Sequence, residues 1–381
     1  MIRDRETLNQ LLALIERFVR ERLVPAENRL ADEESVPEEI VREMKELGLF
    51  GLTIPEEYGG LGLTMEEEIL VSIELGKTSP AFRSLVGTNN GIGSAAIVFN
   101  GTEEQKRTYL PKYASGEWLS CFCLTEPEAG SDAASLRTTA VRDGDHYVLN
   151  GAKRFITNAP VAHTFNVMAR TDPANKGARG ISSFIVERGT PGITLGSVDR
   201  KMGQAGSLTC DVMFDDCRVP AANIIGEEGE GFVTAMKVLD RGRLHISGVA
   251  VGLAERLIAD ALDYAMQRKQ FGKPIAEQQL IQAMLADSRT EAYAARCMAL
   301  ETARKRDAGE NVTLESAACK LFCTEMVGRV ADRAVQIHGG SGYMSEFAVE
   351  RFYRDVRLLR LYEGTSQILQ LVVARNMIRN A

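Results

Sequence analysis

The sequence contains no run of 18 or more apolar residues, so nothing in it reads as a membrane-spanning helix. It has no excess of positive charge: 45 Lys and Arg stand against 52 Asp and Glu, a net charge of −7. That argues against a nucleic-acid partner, which calls for a basic face, but not against a small anionic ligand met by a few local arginines. The opening stretch MIRDRETLNQ lacks the apolar core of a signal peptide. This points to a bacterial cytoplasm, although a processed organellar protein would read the same way. The seven cysteines, at 121, 123, 210, 217, 297, 319 and 323, are odd in number and scattered, which excludes a secreted disulfide framework. Cys319 and Cys323 lie one helical turn apart, but no His or further Cys completes a metal set, so they read as small core residues.

What is present is an ordinary globular composition, 45% hydrophobic and 25% charged over 381 residues, enough for a large core divided among two or three domains. Residues 1–118 read as helices, with apolar positions at helical spacing in LNQLLALIERFV. Thr64 with Glu67 and Thr102 with Gln105 form capping-box patterns. Across 119–226 the texture turns to short β-branched and aromatic segments (HYVLNGAKRFIT, TFNVMART, SSFIVER) parted by turn signals such as Asp143-Gly144. From 227 to 381 helical periodicity returns, with one nearly uninterrupted stretch over 231–268 and further runs near 276–308, 312–336 and 365–379. The class is α+β: a helical domain, a barrel- or sandwich-like β domain and a helical bundle.

Several motifs carry chemistry, and each also has a plain structural reading. GIGSAA (91–96) fits a loose dinucleotide fingerprint but sits among helices, where small residues at a helix contact explain it better. CLTEPEAGSD (123–132) offers hydroxyls and permissive backbone for a pyrophosphate, or is an ordinary Pro/Gly loop. RKQFGKP offers a phosphate-binding Arg268 and an aromatic Phe271, or is a solvated basic helix end. QIHGGSGY (336–343) lets a backbone approach a ligand closely, or is a glycine-capped helix end in which His338 is structural. Asp240 and Arg243 share a helix face and would suit a surface ion pair.

Together these stretches resemble the acyl-CoA dehydrogenase family over essentially the whole chain. CLTEPEAGSD and QIHGGSGYMSEFAVERFYRD resemble the family's two signatures, and RKQFG and YEGTSQI fall in the family's order. The resemblance implies an N-terminal helical domain, a middle β domain and a C-terminal four-helix bundle. It implies an FAD enzyme that converts acyl-CoA to trans-2-enoyl-CoA and passes electrons to an electron-transfer flavoprotein. Assembly would be as a homo-oligomer, usually a tetramer. An oxidase of the same fold that uses O₂, or a non-catalytic acyl-CoA-binding relative, are the alternatives.

By the same resemblance, Phe122, Leu124 and Thr125 would line the flavin ring, and Gly130 and Ser131 would meet pyrophosphate and acyl-CoA. Phe155, where many relatives have Trp, and Thr157 would cover the ring. Arg268, Phe271 and Gln279 would reach the FAD of a neighbouring subunit, with Gln336, Gly339 and Gly340 on its adenosine half and Thr365 and Gln367 closing the site. Asp240 and Arg243 would contact CoA, and Tyr362 and Gly364 the substrate. Glu363 is the implied base: it would take the Cα proton as hydride leaves Cβ for flavin N5, with its own N–H and a ribityl hydroxyl polarising the thioester carbonyl. Some subfamilies carry the base on the long helix, where this chain has Gly242. That glycine is expected to clear room for the acyl chain, and Gly364 to clear the substrate's path.

Overall fold

The computed structural model describes residues 1–379. The chain opens with seven helices: α1 (Arg5–Phe18), α2 (Val24–Glu33), α3 (Glu38–Glu46), α4 (Met65–Leu75), α5 (Pro80–Thr88), α6 (Ala95–Asn100) and α7 (Glu103–Ala114). Both capping boxes form. Glu67 Oε2 accepts from Thr64 N at 2.9 Å at the start of α4, and Gln105 Oε1 accepts from Thr102 N at 3.1 Å at the start of α7. The GIGSAA segment is a helical turn leading into α6, so no strand precedes it and the dinucleotide reading is excluded.

The middle region holds β1 (Ser120–Cys123), β2 (Thr139–Asp143), β3 (His146–Thr157), β4 (Thr164–Arg170), β5 (Ile181–Glu187), β6 (Ile193–Leu195), β7 (Thr209–Pro220) and β8 (Ile224–Ile225). They form one mixed sheet in the order β6-β7-β3-β2-β4-β5-β8, with β1 parallel to β4 on the flank that β2 also meets. Asp143-Gly144 makes the tight β2–β3 turn, with Gly144 at φ +63°. Near its end β3 slips register against β7 between Lys153 and Ile156. Phe155 there adopts φ +59° and turns out of the sheet.

The C-terminal region is built on α8 (Gly231–Gln267), α9 (Gln279–Asp307), α10 (Thr313–His338) and α12 (Ser366–Arg379), with a shorter α11 (Ala348–Val356) that the sequence reading missed. Between α8 and α9 the chain forms a small hairpin of β9 (Lys269–Gln270) and β10 (Lys273–Pro274). The RKQFGKP stretch is therefore a defined, solvent-exposed turn just past the end of α8, with Phe271 at φ +52° and Gly272 at φ +80°. α4 packs so closely on α8 that a Cβ on Gly252 would collide with the Ile73 carbonyl and stand 2.9 Å from Gly76 Cα. That approach joins Ile69 and Ile73 to Leu253, Met326 and Phe352 in one core. It also buries α4 on nearly all sides, its three consecutive glutamates included. Among the described residues no helix is long and apolar enough to cross a membrane.

Candidate active site

Glu363 lies in the turn between the 357–360 helical turn and α12. Its backbone is left-handed at φ +52°, a costly conformation for a side-chain-bearing residue, and Gly364 follows at φ +95°. The glycine at 364 thus also meets a backbone demand. Lys320 fixes the turn. Its Nζ donates to the carbonyls of Tyr362 at 2.9 Å and Gly364 at 2.7 Å, clamping both sides of Glu363. This buried Lys on α10 was missed in the sequence. The signal available was one charge inside the apolar run SAACKLFC. Burial pushes its ammonium down to about 8.

The Glu363 carboxylate rests on α8. A Cβ at Gly242 would stand 2.9 Å from its Cδ and 3.1 Å from Oε1, and closer still to Oε2. The room cleared by Gly242 is taken here by the carboxylate itself. Oε2 is buried and has no hydrogen-bond partner. Burial pushes the carboxyl above the ordinary Glu range, while His245, Arg83, Lys320 and Arg243 pull the other way without cancelling it. The nearby Nε atoms of Arg83 and Arg243 are also buried without partners. An acceptor and several donors are thus left open in one enclosed place.

Asp240 and Arg243 do pair, Nη1 to Oδ1 at 2.6 Å, and Thr313 Oγ1 donates to Asp240 Oδ2 at 3.2 Å. The expected surface pair is instead largely enclosed, with Arg243 7% exposed, and burial raises the Asp240 carboxyl despite the Arg243 charge. Arg83 Nη2 donates to the Tyr362 hydroxyl at 3.2 Å, tying α5 to the turn. Neither Arg83 nor His245 was singled out in the sequence.

The end of β1 meets the same part of α8: Phe122 and Leu124 pack with Ala235, Met236 and Leu239. Past them Thr125 is half-buried, and Gly130 and Ser131 are exposed, with nothing within 4 Å of where a Gly130 Cβ would stand. Phe155 is 60% exposed and Thr157 half-buried, while Thr365 is half-buried and Gln367 exposed beside the Glu363 turn. An exposed aromatic on strained backbone, an open glycine ledge and hydroxyls at a strand end suit a flat ring with a pyrophosphate tail, so these residues fit the implied FAD.

A second group of flavin candidates lies elsewhere. Arg268 caps the C-terminal end of α8, 26 residues beyond Gly242 and about 39 Å along the axis at the helical rise. Arg268, Phe271, Gln279, Gln336, Gly339 and Gly340 are all exposed, Phe271 at 93%. Gly339 takes φ +59° and caps α10. His338 stacks on Tyr264 with centroids 4.2 Å apart, and its Nδ1 meets Ala334 O at 2.8 Å, a structural role. One chain does not bring this set to the Glu363 end.

Comparison with known proteins agrees along the whole chain. Family models described as the N-terminal, middle and C-terminal domains of acyl-CoA dehydrogenase match residues 5–117, 121–217 and 229–378. Acryloyl-CoA reductase (NADH) of Anaerotignum propionicum is 43% identical over 381 residues, 100% of this chain and 95% of the relative. Butyryl-CoA dehydrogenase of Megasphaera elsdenii superposes with a TM-score of 0.95 at 37% identity, covering 100% of both chains. A chain solved in work on the electron transferring flavoprotein of Acidaminococcus fermentans does so with a TM-score of 0.95 at 38% identity, again over 100% of both.

Proposed function

The chain belongs to the acyl-CoA dehydrogenase family, and from that premise we propose that it removes the α-proton of an acyl-CoA with Glu363 as base, giving the trans-2-enoyl-CoA. It is a flavoprotein oxidoreductase acting on acyl-CoA, with FAD as cofactor. The observation that carries the assignment of the base is the buried, unpartnered Oε2 of Glu363, held on a strained turn by Lys320.

Bound FAD supplies the hydride acceptor for Cβ. The chain's own residues do the proton chemistry. Burial has moved the Glu363 carboxyl upward, toward the range in which a carboxylate accepts a carbon-bound proton effectively. Its unpaired oxygen carries no hydrogen bond that would have to break first. The Glu363 N–H is the chain's donor to the thioester carbonyl as enolate character develops. Arg243, with one unpaired Nε, and Asp240 line the approach of the CoA portion. The exposed second set, Arg268 to Gly340, serves a neighbour's FAD in a homo-oligomer. Electrons leave to an electron-transfer flavoprotein, a reading favoured by the Acidaminococcus likeness.

The test is anaerobic flavin bleaching by acyl-CoAs from short to long. Glu363→Gln keeps the shape but cannot take the proton. It should retain flavin, show the spectral shift of acyl-CoA binding and bleach 10²–10⁴-fold more slowly, about the worth of a general base. Near wild-type bleaching would remove Glu363 from the role.

The acryloyl-CoA reductase likeness favours a second direction for the same site, in which a protonated Glu363 returns the proton to Cα of an enoyl-CoA. Faster turnover of enoyl-CoA by the reduced enzyme than of acyl-CoA by the oxidised enzyme would select it.

A further inference from the structure

One buried ion pair lies between the two segments assigned to the flavin ring and has no part in the proton chemistry. Lys153 on β3 is 0% exposed, and Glu126, in the loop after β1, is 7% exposed. Lys153 Nζ donates to Glu126 Oε1 at 2.7 Å and to the Leu124 carbonyl at 3.3 Å. The next residue continues the link, with Arg154 N donating to the Thr125 carbonyl at 2.9 Å. Residues 124, 125 and 126 are thus each tied to β3.

Glu126 carries the tie further. Its Oε1 accepts from Thr138 N at 2.9 Å and from Thr138 Oγ1 at 2.5 Å, and its Oε2 accepts from Arg137 N at 2.6 Å. Its backbone exchanges hydrogen bonds with that of Ala129 at 3.0 and 3.2 Å, closing the turn that delivers Gly130 and Ser131. A Cβ on Gly151 would stand 2.7 Å from Thr138 Cα, so the missing side chain lets β3 lie against Thr138.

Strand alternation would put residues 153 and 155 on one face of β3. The register slip between Lys153 and Ile156 breaks that rule: Lys153 is enclosed, while Phe155, at φ +59°, turns out of the sheet. A buried ammonium is costly unless paired, and left-handed backbone at Phe155 persists only where its surroundings enforce it. The contacts of Lys153 and Arg154 meet both conditions. Burial pushes the Lys153 ammonium down, and the Glu126 carboxylate opposes that shift.

We propose that Lys153, locked to Glu126, is a positioning residue for the cofactor: it joins the loop after β1 to the β3 bulge as one preformed floor for the FAD ring. This rests on Thr125, Phe155 and their neighbours being that floor. A floor in place before FAD arrives spares binding the cost of ordering it.

The experiment compares FAD-loaded wild type, Lys153→Met and the double variant Lys153→Met with Glu126→Gln. Lys153→Met strands a buried carboxylate and can lose the fold outright, whereas the double variant leaves neither charge alone. Hydrogen exchange of the β4 and β5 amides reports the fold, and that of residues 124–131 the loop. FAD release on dilution and the visible flavin bands report the cofactor. In the double variant β4 and β5 should stay protected as in wild type, while residues 124–131 exchange faster. FAD should be released about 10–100-fold more readily, as for one lost hydrogen bond to a charged group, and its bands should shift. Wild-type retention and bands, or protection lost evenly through the sheet, overturns the proposal. Bands and retention unmoved in Phe155→Ala would instead overturn the placement of the ring, so the two failures are distinct.

Discussion

Glu363 and Gly242 are in direct apposition: the carboxylate of one lies where the Cβ of the other would be, with Cδ 2.9 Å from that point. The pairing is reciprocal. A helix-borne residue at 242 and a turn-borne carboxylate at 363 compete for one volume, so the glycine on α8 is part of how the base is held.

Gly242→Ala is therefore expected to displace the carboxylate even though Ala favours the helix by about 0.5–1 kcal/mol. A misplacement near 1 Å costs about 10²-fold in rate. The variant should keep its flavin and its melting temperature and lose flavin reduction by about that factor. Undiminished reduction would mean that the carboxylate works from a position away from α8.

Lys320 holds the same carboxylate from behind. Lys320→Met keeps the length but leaves the Tyr362 and Gly364 carbonyls without their donor, at a cost of about 1–3 kcal/mol. Because the clamp spans the strained turn, the loss of rate should exceed what the loss of stability implies. Thermal unfolding and stopped-flow reduction measured on one preparation decide this.

The domain layout was legible because periodicity changes twice, near 119 and near 227, and because both capping boxes and the Asp143-Gly144 turn obey local rules. Glu363 was legible only through its motif, since nothing local explains a glutamate at φ +52°. The surroundings of the base were not legible. Lys320, Arg83, His245 and Glu68 come from four helices, and their convergence follows from tertiary packing that local pattern does not encode. Gly242 and Gly364 were noticed, but not the carboxylate against the one or the φ of +95° at the other, because a glycine announces missing bulk without saying which neighbour or backbone demand explains it.

Glu68 makes stability depend on pH with a definite sign. Burial pushes its carboxyl up, yet Arg241 and His245 bring it down to about 2 from an ordinary 4.5. The unfolded chain therefore takes up the proton first. The stabilisation is complete above pH 4.5 and is lost as pH falls toward 2. Glu68→Gln should lower stability at pH 7 by about 3–5 kcal/mol, the usual cost of breaking a buried pair. The gap from wild type should shrink at pH 3 in chemical unfolding. A gap independent of pH would show that the carboxylate's charge is not what stabilises the fold.

The separation along α8 leads to a last prediction. Arg268 and Phe271 lie about 39 Å from Gly242, too far to share one cofactor with Glu363 within a chain. Both side chains are exposed, and Phe271 keeps a left-handed φ of +52° with nothing of its own chain covering it. A solvent-exposed Arg→Ala change ordinarily alters stability by no more than about 0.5 kcal/mol. If Arg268 serves a neighbour's FAD, Arg268→Ala should instead lower flavin retention and weaken assembly together, because one side chain would contribute to both. Flavin per subunit and sedimentation, measured across a dilution series, separate the cases. Parallel loss of flavin and of the oligomer is the expected result. An Arg268→Ala protein that stays fully flavinylated and assembled on dilution would show that this set does not complete a partner's site.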